Sequence, residues 1–260
     1  MMADGDYSRI EIEGGIATLT IHRSERMNAL HPAAHYELSA AFDRLAAMND
    51  VRVVIVTGAG DRAFCAGYDL KDNLETGVME LPPTGFAGFN ARCDYPLPVI
   101  AAVNGIAMGG GFELALACDI IIASDAASFA LPEPRVGWAA VGGGVQRLPR
   151  AVGMKRAMDI ILTGRTVNAA EAHAIGLVSE VTPSADLLPA AMRWASQIAA
   201  CAPLALRCAR QIAYAAFDMP IEQALDMRHF PLSDAVLASE DAIEGKRAFV
   251  ERRTPNWSGR

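Results

Sequence analysis

The chain has 260 residues, 52% of them hydrophobic, and carries 23 Lys and Arg against 30 Asp and Glu for a formal net charge of −7. There is ample apolar material for a large core, in one domain or a domain with an appendage. The acidic balance excludes a general binder of nucleic acid or anionic membrane and leaves a small-molecule enzyme or an oligomer as the better fit. Cys65, Cys93, Cys118, Cys201 and Cys208 are odd in number, widely spaced and free of any C-x-x-C. That argues against a disulfide framework or zinc ribbon and for a reducing, cytoplasmic setting. The first fifteen residues are acidic, so no signal or transit peptide is expected. No apolar run long enough for a transmembrane helix is found.

In chain order, "RIEIEGGIATLTIH" predicts two short strands about Gly14 and Gly15. Pro32 opens a helix on which Leu38, Ala41, Phe42, Leu45 and Met48 recur at helical spacing. "VRVVIVTG" (51–58), "PVIAAVNG" (98–105) and "DIIIAS" (119–124) are continuous β-branched runs, the mark of buried parallel strands. Residues 74–95 are rich in Gly and Pro without a clear period and predict a long surface loop. Residues 142–164 predict helices, and 168–181 a helix, a glycine cap and a strand. From about 185 onward only helical pattern remains, broken by Pro203, Pro220 and Pro231. The layout is an α/β core over 1–199, followed by a helical region over 200–260.

Three stretches carry chemistry. In "NGIAMGGGFELALACD" (104–119), Gly109, Gly110 and Gly111 precede Glu113. A helix starting there leaves N–H groups free, and glycine lets a ligand atom approach them. The plainer alternative is tight strand–helix packing, with Glu113 favoured by the helix dipole. In "DRAFCAGYDLKD" (61–72), Ala66 and Gly67 lie just past a strand end, where α/β proteins place ligands. In "SFALPEPRVG" (128–137), Glu133 is held between Pro132 and Pro134.

At these residues the chain resembles the enoyl-CoA hydratase/isomerase (crotonase) superfamily. The likeness rests on "RSERMNAL" (23–30), "FCAGYDLK" (64–71), "PVIAAVNGIAMGGGFELALACDI" (98–120), "FALPEPRVG" (129–137), "GGVQRLPRAVG" (143–153), "LTGRTVNAAEAHAIGLVSEV" (162–181) and "SEDAIEGKRAFVERRTPNWSGR" (239–260). The resemblance implies an α/β spiral of repeated ββα units with a C-terminal helical region for trimerisation. It implies a homotrimer or a hexamer made as a dimer of trimers, and an acyl-CoA substrate with no further cofactor and no metal. It implies an oxyanion hole of two backbone N–H groups, falling on Ala66 and Gly110. Glu113 would activate the water that adds at Cβ, and Glu133 would exchange the proton at Cα. CoA contacts are implied for Arg26, Met27, Ala66, Asp69 and Leu70, and for Phe249 and Arg252 of the tail.

Two departures stand out. Val141 occupies a glycine position of the family, which keeps an N–H but makes the pocket floor bulkier. Tyr68 replaces a frequent alanine. With "GGFELALA", "SFALPE" and Trp257, it resembles the carnitinyl/crotonobetainyl-CoA hydratase branch, although no aromatic or anionic cage for a quaternary ammonium is legible.

Other signals carry less. "TGAGDRAFCAG" (57–67) approaches a dinucleotide fingerprint but lacks the helix and the later acidic residue. "HPAAH" puts His31 and His35 at i, i+4 with no third ligand, so helix surface is expected there rather than a metal. Cys65 has no base beside it and reads as a small core residue. His173 and His229 have no partner. The rival functions are a sister reaction on the same oxyanion hole (isomerisation, thioester hydrolysis) or a catalytically idle acyl-CoA-binding oligomer.

Overall fold

The computed structural model describes residues 2–260. The strands are β1 (Met2–Asp4), β2 (Ser8–Glu13), β3 (Ile16–Ile21), β4 (Val53–Gly58), β5 (Ala63–Cys65), β6 (Val99–Val103), β7 (Ile106–Met108), β8 (Ile120–Ser124), β9 (Ser128–Ala130), β10 (Val167–Asn168) and β11 (Glu180–Thr182). The helices are α1 (Pro32–Ala46), α2 (Leu70–Thr76), α3 (Gly110–Ala117), α4 (Gly144–Val152), α5 (Met154–Thr163), α6 (Ala169–Ala174), α7 (Leu187–Ala199), α8 (Pro203–Ala216), α9 (Ile221–Ala224), α10 (Leu232–Ala238) and α11 (Glu240–Glu251).

The strands form a large sheet in the order β1-β2-β3-β4-β6-β8-β11 and a small one in the order β10-β9-β7-β5. The β2–β3 pair is an antiparallel hairpin, and from β3 onward the large sheet is parallel. A repeated unit follows from this order. Strands β4 and β5, then β6 and β7, each place one strand in the large sheet and one in the small sheet before a helix. The expected ββα spiral is therefore present. The small sheet escapes sequence reading because its strands are only two or three residues long.

Strand parity explains the two cores. Val53 and Ile55, with Ile16, Ile100, Ala102 and Ile122, face α7 through Leu187, Ala190, Ala191 and Ala195. Val54 and Val56, with Leu19, Ala101 and Val103, face the other way, onto α1 and the small sheet. Strands buried on both faces read as continuous apolar runs. Each fully buried Val, Leu or Ile contributes about 1.5–3 kcal/mol.

One expectation is corrected here. Residues 74–95 are not a surface loop throughout. Phe86, Ala87, Gly88, Phe89, Asn90 and Tyr95 are buried, and Phe89 stacks on Phe42 of α1 with ring centres 4.5 Å apart. The aromatic residues supply the burial that a missing period concealed. The helical region after α7 is thinly buried, with Cys208, Phe230 and Ala248 its buried hydrophobic residues. Its last residues return to the body through Trp257, whose Nε1 donates to the Ala200 carbonyl at 2.7 Å.

Candidate active site

Helix α3 begins where Gly109 turns the chain with φ +54°. Its N–H donates to the Ala130 carbonyl. The glycines serve packing as well as approach: a Cβ at Gly111 would lie 1.9 Å from the Cys65 carbonyl oxygen, and one at Gly110 would lie 2.5 Å from the Phe86 ring. The Gly110 N–H itself finds no acceptor among the described residues. A first-turn N–H on a helix is an orphan donor aimed along the helix dipole.

The chain past β5 comes up to it. Gly67 has φ +94°, and its Cβ position lies 3.4 Å from the Gly110 nitrogen. Residues 66–69 are zipped to 27–30: Ala66 N–H donates to Met27 at 3.0 Å, Leu30 N–H to Gly67 at 2.9 Å and Asp69 N–H to Leu30 at 2.8 Å. The Ala66 donor expected for the oxyanion is thus committed to the Met27 carbonyl. The Tyr68 N–H has no acceptor among the described residues and replaces it as the free donor beside Gly110.

Both glutamates converge on this helix start. Glu113 in the first turn of α3 is 5% exposed, and its Oε1 accepts from Gly144 N–H at 2.9 Å. Its Oε2 faces Gly142, where a Cβ would lie 2.6 Å away. Glu133, 9% exposed, opens the 3-10 turn Glu133–Val136 after β9. Its Oε1 lies 3.2 Å from the Cβ position of Gly109, and its Oε2 is buried without a partner. Burial pushes the Glu113 pKa up, the N–H groups of Gly144 and Gly142 oppose this, and the Glu133 charge adds to the rise. Burial likewise raises that of Glu133. Two carboxyls of raised pKa beside two free backbone donors can pass a proton at one atom while stabilising charge at another.

Residues 11–260 match the family model described as enoyl-CoA hydratase/isomerase. The chain belongs to the enoyl-CoA hydratase/isomerase (crotonase) family. It is 41% identical to the carnitinyl-CoA dehydratase of Proteus mirabilis over 255 residues, 95% of this chain and 96% of that protein. It is equally identical to that of Salmonella arizonae over 259 residues, 96% and 98% of the two chains. Among solved structures it resembles the enoyl-CoA hydratase EchA1 of Mycobacterium marinum, with TM-score 0.93, 36% identity and coverage of 98% and 100%. The enoyl-CoA hydratase of Mycobacterium tuberculosis gives TM-score 0.91 at the same identity and coverage.

As a crotonase, the chain distributes its other expected site residues unevenly. Met27, with φ +54°, and exposed Arg26 lie on the segment zipped to 66–69, and Leu70 is 41% exposed just beyond. Asp69 is not free for a ligand: it is buried and paired with Arg23 at 3.1 Å, with Arg23 also donating to the Ala29 carbonyl. Val141 is 73% exposed, and its N–H is committed to the Ala139 carbonyl. Phe249 stands exposed on α11, which packs on α10, and exposed Arg252 caps its end in the left-handed conformation. His31 and His35 are not helix surface: His31 Nδ1 caps α1 and His35 is fully buried. Among the described residues no three His, Cys, Asp or Glu side chains gather as a metal would require, and no helix is long and apolar enough to cross a membrane.

The sequence reading missed four supporting residues of this crotonase. Arg23 clasps both zipped segments. Asn28 accepts from Arg23 N–H and donates to the Ala59 and Ala63 carbonyls. Asn90 donates to the Gly142 carbonyl at 3.0 Å, and Arg147 donates to the Asn90 carbonyl at 2.7 Å. The last two brace the loop whose N–H groups hold Glu113. Their signals are long-range hydrogen bonds, which no local pattern announces.

Proposed function

We propose that the chain is an enoyl-CoA hydratase, adding water reversibly across the Cα=Cβ bond of a trans-2-enoyl-CoA. The observation that carries this reading is the pair of buried carboxyls, Glu113 and Glu133, at the start of a helix whose first N–H is free. The thioester oxygen sits between the N–H groups of Gly110 and Tyr68, which stabilise the enolate as it forms; each such donor is worth ~10²–10³-fold. Glu113, held by Gly144, takes the proton of the water attacking Cβ. Glu133 delivers a proton to Cα. The acid and the base contribute ~10²–10⁴-fold each. No metal or redox cofactor has a step in this scheme.

Dehydration is the same reaction run backwards, so the relatives' names fit the same machinery. One observation favours a second reading, a cationic acyl end. Burial raises the pKa of the Tyr68 hydroxyl, and the Asp72 and Glu80 carboxylates add to that rise against an opposing Glu80 N–H. Tyr36 donates to Glu80 at 2.6 Å, so aromatic rings and acids share this edge. The helical region 200–260 serves as the oligomerisation unit. Exposed Phe217, Ile221, Leu225, Leu237, Ile243, Phe249 and Val250 support a covering by further copies of the chain.

The test follows the loss of enoyl-thioester absorbance with crotonyl-CoA, longer and branched enoyl-CoAs and a cationic member, crotonobetainyl-CoA. Turnover of a panel member is the expected result. Binding of every member without turnover would make the protein an idle acyl-CoA binder.

A further inference from the structure

Glu113 stands at the start of two helices. It lies in the first turn of α3, and its Oε1 accepts from Gly144, the first N–H of α4, at 2.9 Å. Both helix dipoles favour its charged form. Glu133 opens only a 3-10 turn, and its Oε2 is buried without a hydrogen-bond partner. The two carboxyls are therefore held differently, and the difference comes from residues 142–144.

Those residues are fastened from outside the site. Asn90, 4% exposed, donates through Nδ2 to the Gly142 carbonyl at 3.0 Å. Arg147 donates through Nη2 to the Asn90 carbonyl at 2.7 Å. The Arg147 N–H bonds to the Gly143 carbonyl at 2.8 Å, and a Cβ at Gly143 would strike the Arg147 guanidinium. The cation thus lies against the residue between Gly142 and Gly144, whose N–H groups hold Glu113. A cation on the first turn of a helix opposes the helix dipole. Arg147 also forms no ion pair among the described residues, whereas Arg150 of the same helix is paired with Asp218 at 3.1 Å.

The elements packed on α3 supply no second cation to Glu113. The Glu133 charge disfavours its ionised form and Arg147 favours it. Burial pushes Cys65 of β5 up to about 12 and also raises Cys118 at the end of α3, so both thiols are neutral near pH 7. Strand β7 and residues 86–88 carry no titratable side chain. Glu133 is raised by burial with only its own backbone N–H opposing the rise.

We propose that Arg147 is a positioning residue for hydration. It braces residues 142–144 through Asn90, and its unpaired charge keeps Glu113 ionised to take the proton of the water, leaving Glu133 to carry the proton that goes to Cα. The oxygen of the water bonds to Cβ, so the net protonation of the protein is unchanged over the step. The inference rests on the hydratase reading above and adds the residue that sorts its two carboxyls.

The test is the pH dependence of hydration of the panel member that turns over best, in wild type and in variants checked for folding by circular dichroism. Arg147→Gln removes the charge. Its kcat should fall about tenfold at pH 7 with KM within about threefold. Its kcat/KM relative to wild type should be about threefold smaller at pH 5 than at pH 8, because Glu113 then stays protonated to higher pH. Arg147→Lys keeps the charge and should hold that ratio flat. Asn90→Ala cuts the brace and keeps the cation, so kcat should fall with a flat ratio. A flat ratio in Arg147→Gln, or a Lys variant as pH-dependent as the Gln variant, would overturn the proposal. An unchanged kcat in Asn90→Ala would do so even if Arg147→Gln did not fold. Infrared titration of the free protein, with Glu113→Gln marking the band, reads the charge effect without turnover: the Glu113 carboxyl should titrate at higher pH in Arg147→Gln than in wild type. If wild type hydrated no member of the panel, the hydratase reading would fall, whereas an unshifted band would overturn the Arg147 assignment on its own.

Discussion

Glu113 and Glu133 are acids kept where their charged forms are disfavoured, and this sets their pH behaviour. A carboxyl whose folded pKa is raised binds its proton more tightly in the fold than in the unfolded chain. Stability therefore declines as pH rises from the ordinary Glu value through the raised one. Glu133→Gln removes that loss. It should raise Tm at pH 7 by roughly 2–4 °C while kcat falls by ~10²-fold or more, read by calorimetry and by turnover on one preparation. Gly142→Ala should act oppositely to a harmless loop change. Its Cβ would meet Glu113 Oε2 at 2.6 Å, so kcat should fall at least about tenfold, with a folded far-ultraviolet spectrum retained. Both glutamates and Gly110 were singled out through the family resemblance, each standing against a local background of glycine, proline or apolar residues, and the fold brings them together. That the Tyr68 N–H is left free while the Ala66 N–H is taken was not legible. Which neighbouring N–H points inward depends on how 66–69 pair with 27–30, and that pairing is tertiary.

At the scale of elements, α3 and the strand end at 63–69 must keep their spacing for the two donors to converge, and Arg23 is the clasp. The Arg23–Asp69 pair is buried on both sides, so removing one partner strands a charge. Arg23→Met should destabilise the fold by about 3–5 kcal/mol in urea unfolding. Burial alone would raise the Asp69 pKa, but the Asp72 N–H and the Arg23 guanidinium outweigh it and hold it low. The stabilisation is thus present above the ordinary Asp value and is lost as pH falls through the depressed one. Acid unfolding of the Arg23→Met variant should accordingly be less steep below pH 4. The buried strands and α1 were legible because β-branched runs and 3.6-residue spacing are local. The 86–95 segment was not, since its aromatic residues pack on α1 without any period of their own.

At the scale of the molecule, the parallel sheet and α7 make a sealed body, while α8–α11 leave apolar side chains in water. A chain of 27.6 kDa should therefore run at a multiple of that mass in light scattering. Leu237→Glu with Val250→Glu, both exposed in the single chain, should reduce it toward one copy. The order of core and helical region was readable from where strand pattern stops, at about residue 185. Whether it forms an oligomer face was not, because an oligomer face and a surface helix share one amphipathic pattern.

The central claim, that two carboxyls divide the work at one oxyanion hole, is tested most directly by deuterium exchange at Cα of butanoyl-CoA in heavy water, measured beside hydration. Exchange needs the enolate and the base at Cα but no attacking water. Glu133→Gln should lose both reactions. Glu113→Gln should lose hydration by ~10²-fold or more while exchanging at least about ten times faster than Glu133→Gln. Equal loss of exchange in the two variants, or hydration surviving in either, would contradict the division.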